Sequence, residues 1–271
     1  KYKHGNSLCI STQVGCRMGC NFCASTLGGL VRHLTPSEML EQVYETVRQS
    51  GERVDSLVLM GIGEPLDNYD NVIRFLRLLT DPKGYNLGQR HISLSTCGLV
   101  DRIYDLAKED LGITLSISLH APDNETRNKT MPVNRRWPVE QLMQACRDYF
   151  RTTGRRISFE YALIKGVNDS PADAQKLAKL LDGMICHVNL IPVNYVKEAG
   201  YQKSSKGRIY EFQKVLNDRG INATVRRTLG ADINAACYAG KAVDVVEEAK
   251  ERPAYKMWQE YCYPAVLFEY L

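Results

Sequence analysis

The feature that most constrains this sequence is a loop with three cysteines, Cys16, Cys20 and Cys23, separated by three and then two residues. A loop this short can turn three thiolates toward one point and leave a fourth direction vacant. Structural zinc sites close all four positions, and ferredoxin clusters take four cysteines. Three cysteines without a matching fourth therefore favour a four-iron, four-sulfur cluster whose last iron site binds a small molecule. A zinc loop completed by a distant residue and ordinary buried cysteines are the alternatives.

The composition is that of an ordinary globular protein with a sizeable core. The chain has 271 residues, 44% of them hydrophobic and 24% charged, which argues against extensive disorder. No apolar run approaches the roughly 20 residues that cross a bilayer, and no secretory hydrophobic region follows the first residues, so we expect a cytoplasmic protein. Nine cysteines, an odd number in a long chain, favour metal and redox chemistry over a disulfide framework. The net charge of +4 leaves the substrate open.

Predicted strands and helices alternate along most of the chain, which favours a parallel sheet with right-handed crossovers. About six such units predict a partial (βα)6 TIM-like barrel, and a doubly wound open sheet is the alternative. The barrel is favoured because polar and glycine-rich motifs recur at strand C-termini, where parallel barrels carry their chemistry. The predicted strands are 8–14, 56–60, 91–95, 113–119, 157–164, 187–191 and 223–226, and the predicted helices are 36–49, 68–79, 100–108, 139–151, 172–181 and 207–219.

Several strand ends carry candidate site residues. Gly61-Ile62-Gly63-Glu64-Pro65 follows an apolar strand, so its glycines permit close approach and its carboxylate can accept hydrogen bonds from an amine. Ser95 and Ser118 are either site residues or caps of loop backbone groups. His120 is more consistent with a hydrogen-bonding role than with a metal ligand.

The remaining cysteines and the basic pairs allow two interpretations each. Cys97, Cys146 and Cys186 are predicted to be small buried hydrophobes. Cys9 precedes the cysteine loop and Cys237 lies in a small-residue segment, and spacing alone leaves each between a functional and a structural role. Three arginine pairs could hold phosphates or face solvent. They are Arg135-Arg136, Arg155-Arg156 and Arg226-Arg227.

Taken in order, these motifs resemble the RlmN/Cfr family of radical S-adenosylmethionine (SAM) RNA methyltransferases over about residues 5–237. The motif at 226–237 is specific to that family, whereas the cysteine loop is shared by radical SAM proteins in general. The matching motifs are Cys9, Cys16-x3-Cys20-x2-Cys23, Gly-Ile-Gly-Glu-Pro-Leu at 61–66, Leu-Ser-Thr-Cys-Gly at 94–98, Ser-Leu-His-Ala at 118–121, Ile-Pro-Val-Asn at 191–194 and Arg-Arg-Thr-Leu-Gly-Ala-Asp-Ile-Asn-Ala-Ala-Cys at 226–237.

The resemblance implies a partial (βα)6 barrel, a [4Fe-4S] cluster and two SAM molecules per turnover. Cys16, Cys20 and Cys23 would hold the cluster. Cys237 would take a methyl group from one SAM, a radical generated from the second would activate it for addition to adenine, and Cys9 would release the product by forming a disulfide with Cys237. The residues that would line the SAM pocket are Gly63, Glu64, Ser95, Ser118, Leu119, His120 and Asn194.

The substrates implied are an adenosine in the peptidyl-transferase region of 23S rRNA and the purine beside the anticodon in some tRNAs, methylated at C2. The alternatives are C8 methylation, as in Cfr, a radical SAM enzyme that acts on a protein or small molecule, and a non-catalytic metal-binding RNA module. We also expect a monomer and an electron donor such as flavodoxin or ferredoxin.

The expected domain organisation is a catalytic barrel over 1–237 and a C-terminal extension, a helix and an aromatic-rich tail, over 238–271. The chain begins eight residues before Cys9, so we expect the family's N-terminal RNA-binding domain to be absent. The extension departs from the family after Cys237, where Tyr238-Ala239-Gly240 replaces the usual Gly-Gln-Leu.

Overall fold

The computed structural model describes residues 5–193 and 200–226, which fall into two compact units. Within the described part of the chain, the first unit comprises 5–19 and 23–95, and the second comprises 20–22, 96–193 and 200–226. Asn194 and Cys237 lie outside the described residues, as does the predicted extension over 238–271.

The first unit combines a parallel sheet with a short hairpin. Its parallel strands lie in the order β1-β4-β5, and β2 and β3 form the antiparallel hairpin. The elements are β1 (Ser7–Cys9), β2 (Gln13–Gly15), β3 (Leu30–His33), α1 (Pro36–Ser50), β4 (Ser56–Leu59), α2 (Tyr69–Thr80) and β5 (Ile92–Thr96), of which β5 belongs to this unit through Ser95.

The second unit continues the same alternation. Its four strands are parallel in the order β6-β7-β8-β9, and buried apolar side chains such as Leu115, Ile117 and Phe159 line them. The elements are α3 (Val100–Leu106), β6 (Thr114–Ser118), α4 (Asn124–Thr130), α5 (Val139–Thr153), β7 (Ile157–Leu163), α6 (Pro171–Leu180), β8 (Cys186–Pro192), α7 (Lys206–Asp218) and β9 (Asn222–Val225).

Local sequence explains where the helices begin. Thr35 caps α1, because its side chain accepts a hydrogen bond from Glu38 N while the Glu38 carboxylate accepts one from Thr35 N. Ser170 and Asp173 form the same reciprocal pair at α6, and a proline follows each cap at the first helical position. Such pairs satisfy donors that a helix leaves without partners in its first turn.

The predicted alternation of strands and helices is confirmed, but the single strand over 8–14 is wrong. β1 ends at Cys9 and pairs with β4, whereas β2 begins at Gln13 and pairs with β3. Between them, the Gln42 side chain bonds both the N–H and the C=O of Ser11, at 2.9 and 3.0 Å. These bonds replace a strand ladder at that point.

The short helix α4 was also missed by the sequence prediction. It is seven residues long and its sequence, Asn-Glu-Thr-Arg-Asn-Lys-Thr, shows no apolar periodicity. Its start is fixed by Asp123, whose side chain accepts a hydrogen bond from Thr126 N.

Among the described residues, no helix combines the length and the apolar character required to cross a membrane.

Candidate metal and cofactor site

The β2–β3 hairpin frames most of the cysteine loop in the first unit. Cys16 directly follows β2, and its N–H donates to the carbonyl of Gly29, next to β3, at 2.9 Å. Within the loop, a 3-10 turn over Ala24–Thr26 begins immediately after Cys23. The hairpin therefore fixes both ends of the segment that carries the thiols.

Hydrogen-bond donors surround two of the predicted ligand sulfurs. The Cys16 thiol accepts a bond from the Met18 N–H, and the Cys23 thiol accepts bonds from the N–H groups of Ser25 and Thr26. The Ser25 hydroxyl is buried and has no hydrogen-bond partner among the described residues, and its proximity lowers the pKa of the Cys23 thiol. Hydrogen bonds to thiolate sulfur are one of the means by which proteins tune iron–sulfur clusters.

The surroundings of these thiols disfavour the thiolate form. The pKa of Cys16 is raised to about 12, chiefly by burial and also by the nearby Glu64, Cys23 and Asp67, although the Met18 N–H acts in the opposite direction. Burial also raises the pKa of Cys23. A metal binds the deprotonated thiolate, so iron would replace these protons.

The donor set fits an iron–sulfur cluster in its chemistry. None of the seven described cysteines forms a disulfide, so Cys16, Cys20 and Cys23 carry thiols that can become ligands. Over the described ranges, His, Cys, Asp and Glu side chains form no group of three or more arranged as a metal-ion site. The metal assignment therefore depends on the thiol chemistry and on the N–H groups around it, and it stays a prediction.

The glycine segment after β4 packs directly on the chain that leads into the cysteine loop. A Cβ at Gly61 would lie 2.7 Å from the Ile10 carbonyl carbon and oxygen, and one at Gly63, whose φ is +110°, would lie 2.6 Å from Gln13 Cβ. The backbone is joined here as well, since the Ile62 carbonyl accepts bonds from Thr12 N and Gln13 N, at 2.9 and 3.2 Å. The predicted close approach is real, but its partner is protein backbone and Gln13.

Gln13 ties this segment together and was not predicted. It is 1% exposed, its oxygen accepts from Glu64 N at 2.8 Å, and its amide nitrogen donates to Asp67 at 2.9 Å and to His33 Nδ1 at 3.0 Å. Asp67 also accepts a hydrogen bond from Arg17 of the cysteine loop. Gln13 and Asp67 thus connect the cysteine loop to the turn that carries Glu64.

Glu64 is buried, and one of its carboxylate oxygens accepts a hydrogen bond within its own turn. It is 4% exposed, and Oε1 accepts a bond from Leu66 N at 3.0 Å at the start of the 3-10 turn Pro65–Asn68. Its neighbour in the turn, Asn68, donates to the carbonyls of Thr12 and Leu34, each at 2.8 Å. The carboxylate is therefore held in a fixed orientation close to Cys16.

In the second unit, the end of β6 carries Ser118, Leu119 and His120, all of them buried. Leu119 N and His120 N both donate to the carbonyl of Glu160, at 3.1 and 3.3 Å. His120 adopts a φ of +54°, and its ring makes an edge contact with Phe22 at a centroid distance of 5.0 Å.

The protonation state of His120 follows from its contacts. Nδ1 accepts a hydrogen bond from Ala162 N at 2.9 Å, so the neutral ring carries its proton on Nε2. Burial lowers the pKa of His120 to about 3, and the positive charge of Arg127 lowers it as well. At neutral pH, His120 therefore presents an N–H donor.

Asn168 holds His120 in place and was also missed by the sequence prediction. Its side chain donates to the carbonyls of His120 and Ala162, each at 2.7 Å, and accepts from Ile164 N at 2.8 Å. It is fully buried and lies within Gly-Val-Asn-Asp-Ser-Pro, which resembles an ordinary turn. Local sequence gives no sign that this amide reaches a residue 48 positions away.

The other predicted residues are placed as follows. Cys9 is the last residue of β1 and is buried, and Ser95 lies near the end of β5, also buried. The first unit thus contains Cys9, Cys16, Cys23, Gly63, Glu64 and Ser95, and the second contains Cys20, Ser118, Leu119 and His120. Cys97, Cys146 and Cys186 are buried, as predicted.

Comparison with known proteins gives the family of this chain. Residues 10–181 match the Radical SAM superfamily. "Probable dual-specificity RNA methyltransferase RlmN" of Clostridium acetobutylicum is 58% identical over 237 residues, which cover 88% of this chain and 69% of that protein. The protein of the same name from Clostridium novyi is 56% identical with the same coverage. A radical SAM methyltransferase from Sphaerobacter thermophilus superposes with a TM-score of 0.85 at 47% identity, covering 88% of this chain and 70% of that chain.

The match over residues 10–181 and the superposition place the chain in the radical SAM superfamily, so the predicted partial barrel is confirmed over the doubly wound sheet. Within that superfamily, the chain belongs to the RlmN family, and it is a methyltransferase. Membership of the superfamily implies a [4Fe-4S] cluster and SAM as cofactors.

Proposed function

We propose that this enzyme methylates RNA at C2 of adenine, in the peptidyl-transferase region of 23S rRNA and beside the anticodon of some tRNAs. The observation that carries the proposal is the 58% identity over 237 residues to a protein named as a dual-specificity RNA methyltransferase. A shared fold alone would not carry a substrate assignment. The C2 carbon of adenine is not a nucleophile, so a radical route has a chemical reason, and the base must leave its stack to be modified.

The chain's own residues have distinct proposed roles. Cys16, Cys20 and Cys23 would hold the cluster, which with SAM would supply the radical chemistry that the methyl transfer requires. Glu64 accepts a hydrogen bond from the SAM amine, and His120 donates one from Nε2. The proposed SAM contacts also include Gly63, Ser95, Ser118, Leu119 and Asn194.

Two further cysteines direct the methyl group. Cys237 would take a methyl group from one SAM, and activation of that methyl group for addition to the base would require a second SAM. Cys9 would then attack the Cys237 sulfur, so that the bond from that sulfur to the methyl-derived carbon breaks as the disulfide forms, and the released carbon takes up a proton to become the methyl group of the free RNA. Cys9 is the last residue of β1, which precedes the cysteine loop in the chain.

Several other expectations stay predictions. They are a flavodoxin or ferredoxin as electron donor, a monomer, a cytoplasmic location and a barrel over 1–237 followed by an extension.

The test is product analysis with the full chain. Loaded anaerobically with iron and sulfide, and given SAM and a reductant, the chain should convert adenosine to 2-methyladenosine in an rRNA fragment, as detected by nucleoside mass spectrometry. Cys237→Ala and Cys9→Ala should abolish turnover, whereas Cys186→Ala, at a buried cysteine of β8, should retain it.

Each alternative has its own outcome. An 8-methyladenosine product would show C8 specificity. Full activity on a protein or small molecule with Cys237→Ala would show a different radical SAM reaction. A loaded enzyme that leaves every RNA unmodified would overturn the proposal, and bound zinc without sulfide would favour a non-catalytic RNA module.

A further inference from the structure

Arg127 in α4 is a buried positive charge without a carboxylate partner among the described residues. Its side chain is 0% exposed, and all of its hydrogen bonds go to neutral acceptors. Nε donates to Leu119 O at 3.0 Å and Nη1 to Asn134 Oδ1 at 3.1 Å. Nη2 donates to Cys97 O at 2.5 Å and to Ser118 O at 3.2 Å.

A buried positive charge is stabilised by a nearby negative group. Burial lowers the pKa of Arg127, but an arginine side chain stays protonated in proteins. Carbonyl dipoles satisfy its N–H groups, yet a buried ion without an opposite charge is strongly unfavourable. The groups that favour its charged form are the thiols of Cys97, Cys20 and Cys146.

Cys20 is the member of this group that is predicted to bind iron. The residue after it, Asn21, docks on the last turn of α4, with its N–H donating to Thr130 O at 2.9 Å and its side chain donating to Lys129 O. The next residue, Phe22, contacts His120. The second unit therefore fixes Cys20 beside the helix that carries Arg127. Cys146, in contrast, is fully buried and burial raises its pKa to about 12, so it stays protonated.

We propose that Arg127 is a fixed countercharge for the iron–sulfur cluster and favours its reduced state over its oxidised state. The inference rests on the proposed cofactor set. A cluster held by thiolates gains one negative charge when an external one-electron donor reduces it, and a fixed positive charge in a poorly screened interior stabilises the more negative state more. Arg127 is thus a positioning residue for the cluster and for the backbone of Ser118 and Leu119.

The experiment is a redox titration of the loaded full chain, followed by electron paramagnetic resonance with dithionite as reductant. For Arg127→Met, we expect the ratio of reduced to oxidised cluster at a fixed potential to fall about tenfold, a shift of about 59 mV for a one-electron couple. Arg127→Lys keeps the charge and should stay close to the parent. Arg147→Met is the matched control, because Arg147 also donates to a carbonyl, Leu180 O, at 3.3 Å.

Asn134→Asp separates charge from support. It places a carboxylate where Asn134 already accepts from Arg127 at 3.1 Å, which neutralises the arginine's charge but removes the hydrogen bonds that Asn134 Nδ2 donates to Asn124 and Asn128. The reduced fraction should fall as it does for Arg127→Met. A potential equal to the parent's would show that charge at this position does not reach the cluster, and it would overturn the countercharge.

The outcomes decide between the two roles. Unchanged potentials in loaded Arg127→Met and Asn134→Asp overturn the countercharge. If Arg127→Met takes up no iron, loading of Arg127→Lys with the parent's potential supports it, and failure of Arg127→Lys to load shows a structural clamp instead. A parent chain that binds no iron and sulfide overturns the proposed cofactor set and this inference together.

Discussion

His120 is kept neutral by its surroundings, and that fixes what it can do. It adopts a φ of +54° just after β6, and Ala162 N donates a hydrogen bond to its Nδ1. Burial and Arg127 lower its pKa to about 3 from an ordinary 6.5. An uncharged ring that donates from Nε2 suits a polar acceptor on a ligand and does not require the ring to gain or lose a proton.

This pKa shift predicts how acid acts on the metal-free protein. Between pH 6.5 and pH 3, the unfolded chain protonates His120 and the folded chain does not. Stability is therefore lost as the pH falls through this window, by up to about 1.4 kcal/mol per pH unit from this residue. His120→Asn keeps an acceptor and tolerates positive φ, but does not titrate, so urea unfolding from pH 7 to pH 4 should show a shallower decline.

The matched control is His91→Asn, at an exposed position, which should follow the parent's curve. If the curves of His120→Asn and the parent run parallel over this range, the buried neutral histidine is refuted. Differences between the curves isolate His120 because other titrating groups are common to both proteins.

At the level of elements, the turn after β4 and the segment after β1 act as one piece. Gly61 and Gly63 lie against residues 10–13 with no room for a side chain, and the Ser11 side chain accepts a bond from Ile62 N at 3.0 Å. The turn that carries Glu64 and the strand that precedes Cys16 are thus in direct backbone contact. Their relative position is fixed by packing before any cofactor binds.

Gly61→Ala tests this docking. The new methyl group would meet main-chain atoms of Ile10 and Ser11 within 2.8 Å, and forcing extra atoms into a packed site typically costs about 1–3 kcal/mol. We expect the urea unfolding midpoint to fall and iron uptake to fall with it.

Gly207→Ala provides the contrast, because Gly207 lies in α7 and a Cβ there meets nothing within 4 Å. Alanine favours helix over glycine by up to about 1 kcal/mol, so this variant should be slightly more stable. A Gly61→Ala protein as stable as the parent would mean that the two segments are not held together as tightly as the distances indicate.

Sequence patterns predicted elements well where the signal is local. The predictions of 56–60 and 36–49 match β4 and α1 within a residue, and the prediction of 172–181 lies one residue late at each end of α6. The hairpin and α4 were missed because β3 is only partly buried and α4 has no apolar stripe. Their positions depend on contacts with distant segments, such as Asn21 on Thr130.

The site residues also divide into those that local sequence predicts and those that only the folded structure shows. The cysteine loop was predictable because eight consecutive residues contain all three thiols. Gln13 meets Asp67 across 54 positions, and Arg127 meets Cys97 across 30. Nothing local distinguishes a buried glutamine or arginine from a solvated one, so only the folded chain identified these residues.

For the molecule as a whole, the cofactor set predicts a linked stability. SAM that binds only the folded, cluster-loaded enzyme should stabilise it by about 2.7 kcal/mol at a hundredfold excess over Kd. We expect SAM to raise the melting temperature of the loaded chain, measured anaerobically by calorimetry. The metal-free chain should respond much less, because its open iron site is missing.

Cys23→Ala is the matched variant, since it retains the loop but removes one predicted ligand. Its melting temperature should be insensitive to SAM even after incubation with iron and sulfide. An equal SAM response in the loaded and the metal-free parent would contradict an iron-bound SAM.

The hydrogen bond from Cys16 N to Gly29 O affects how the enzyme could recover after oxygen destroys its cluster. Folding of the hairpin brings the two ends of the 16–29 loop together, so the entropy of closing that loop is lost before iron arrives. A small zinc domain, by contrast, unfolds without its metal. If oxygen destroyed the cluster, the 16–29 loop would therefore stay folded, and repair would require new iron and sulfide but no refolding.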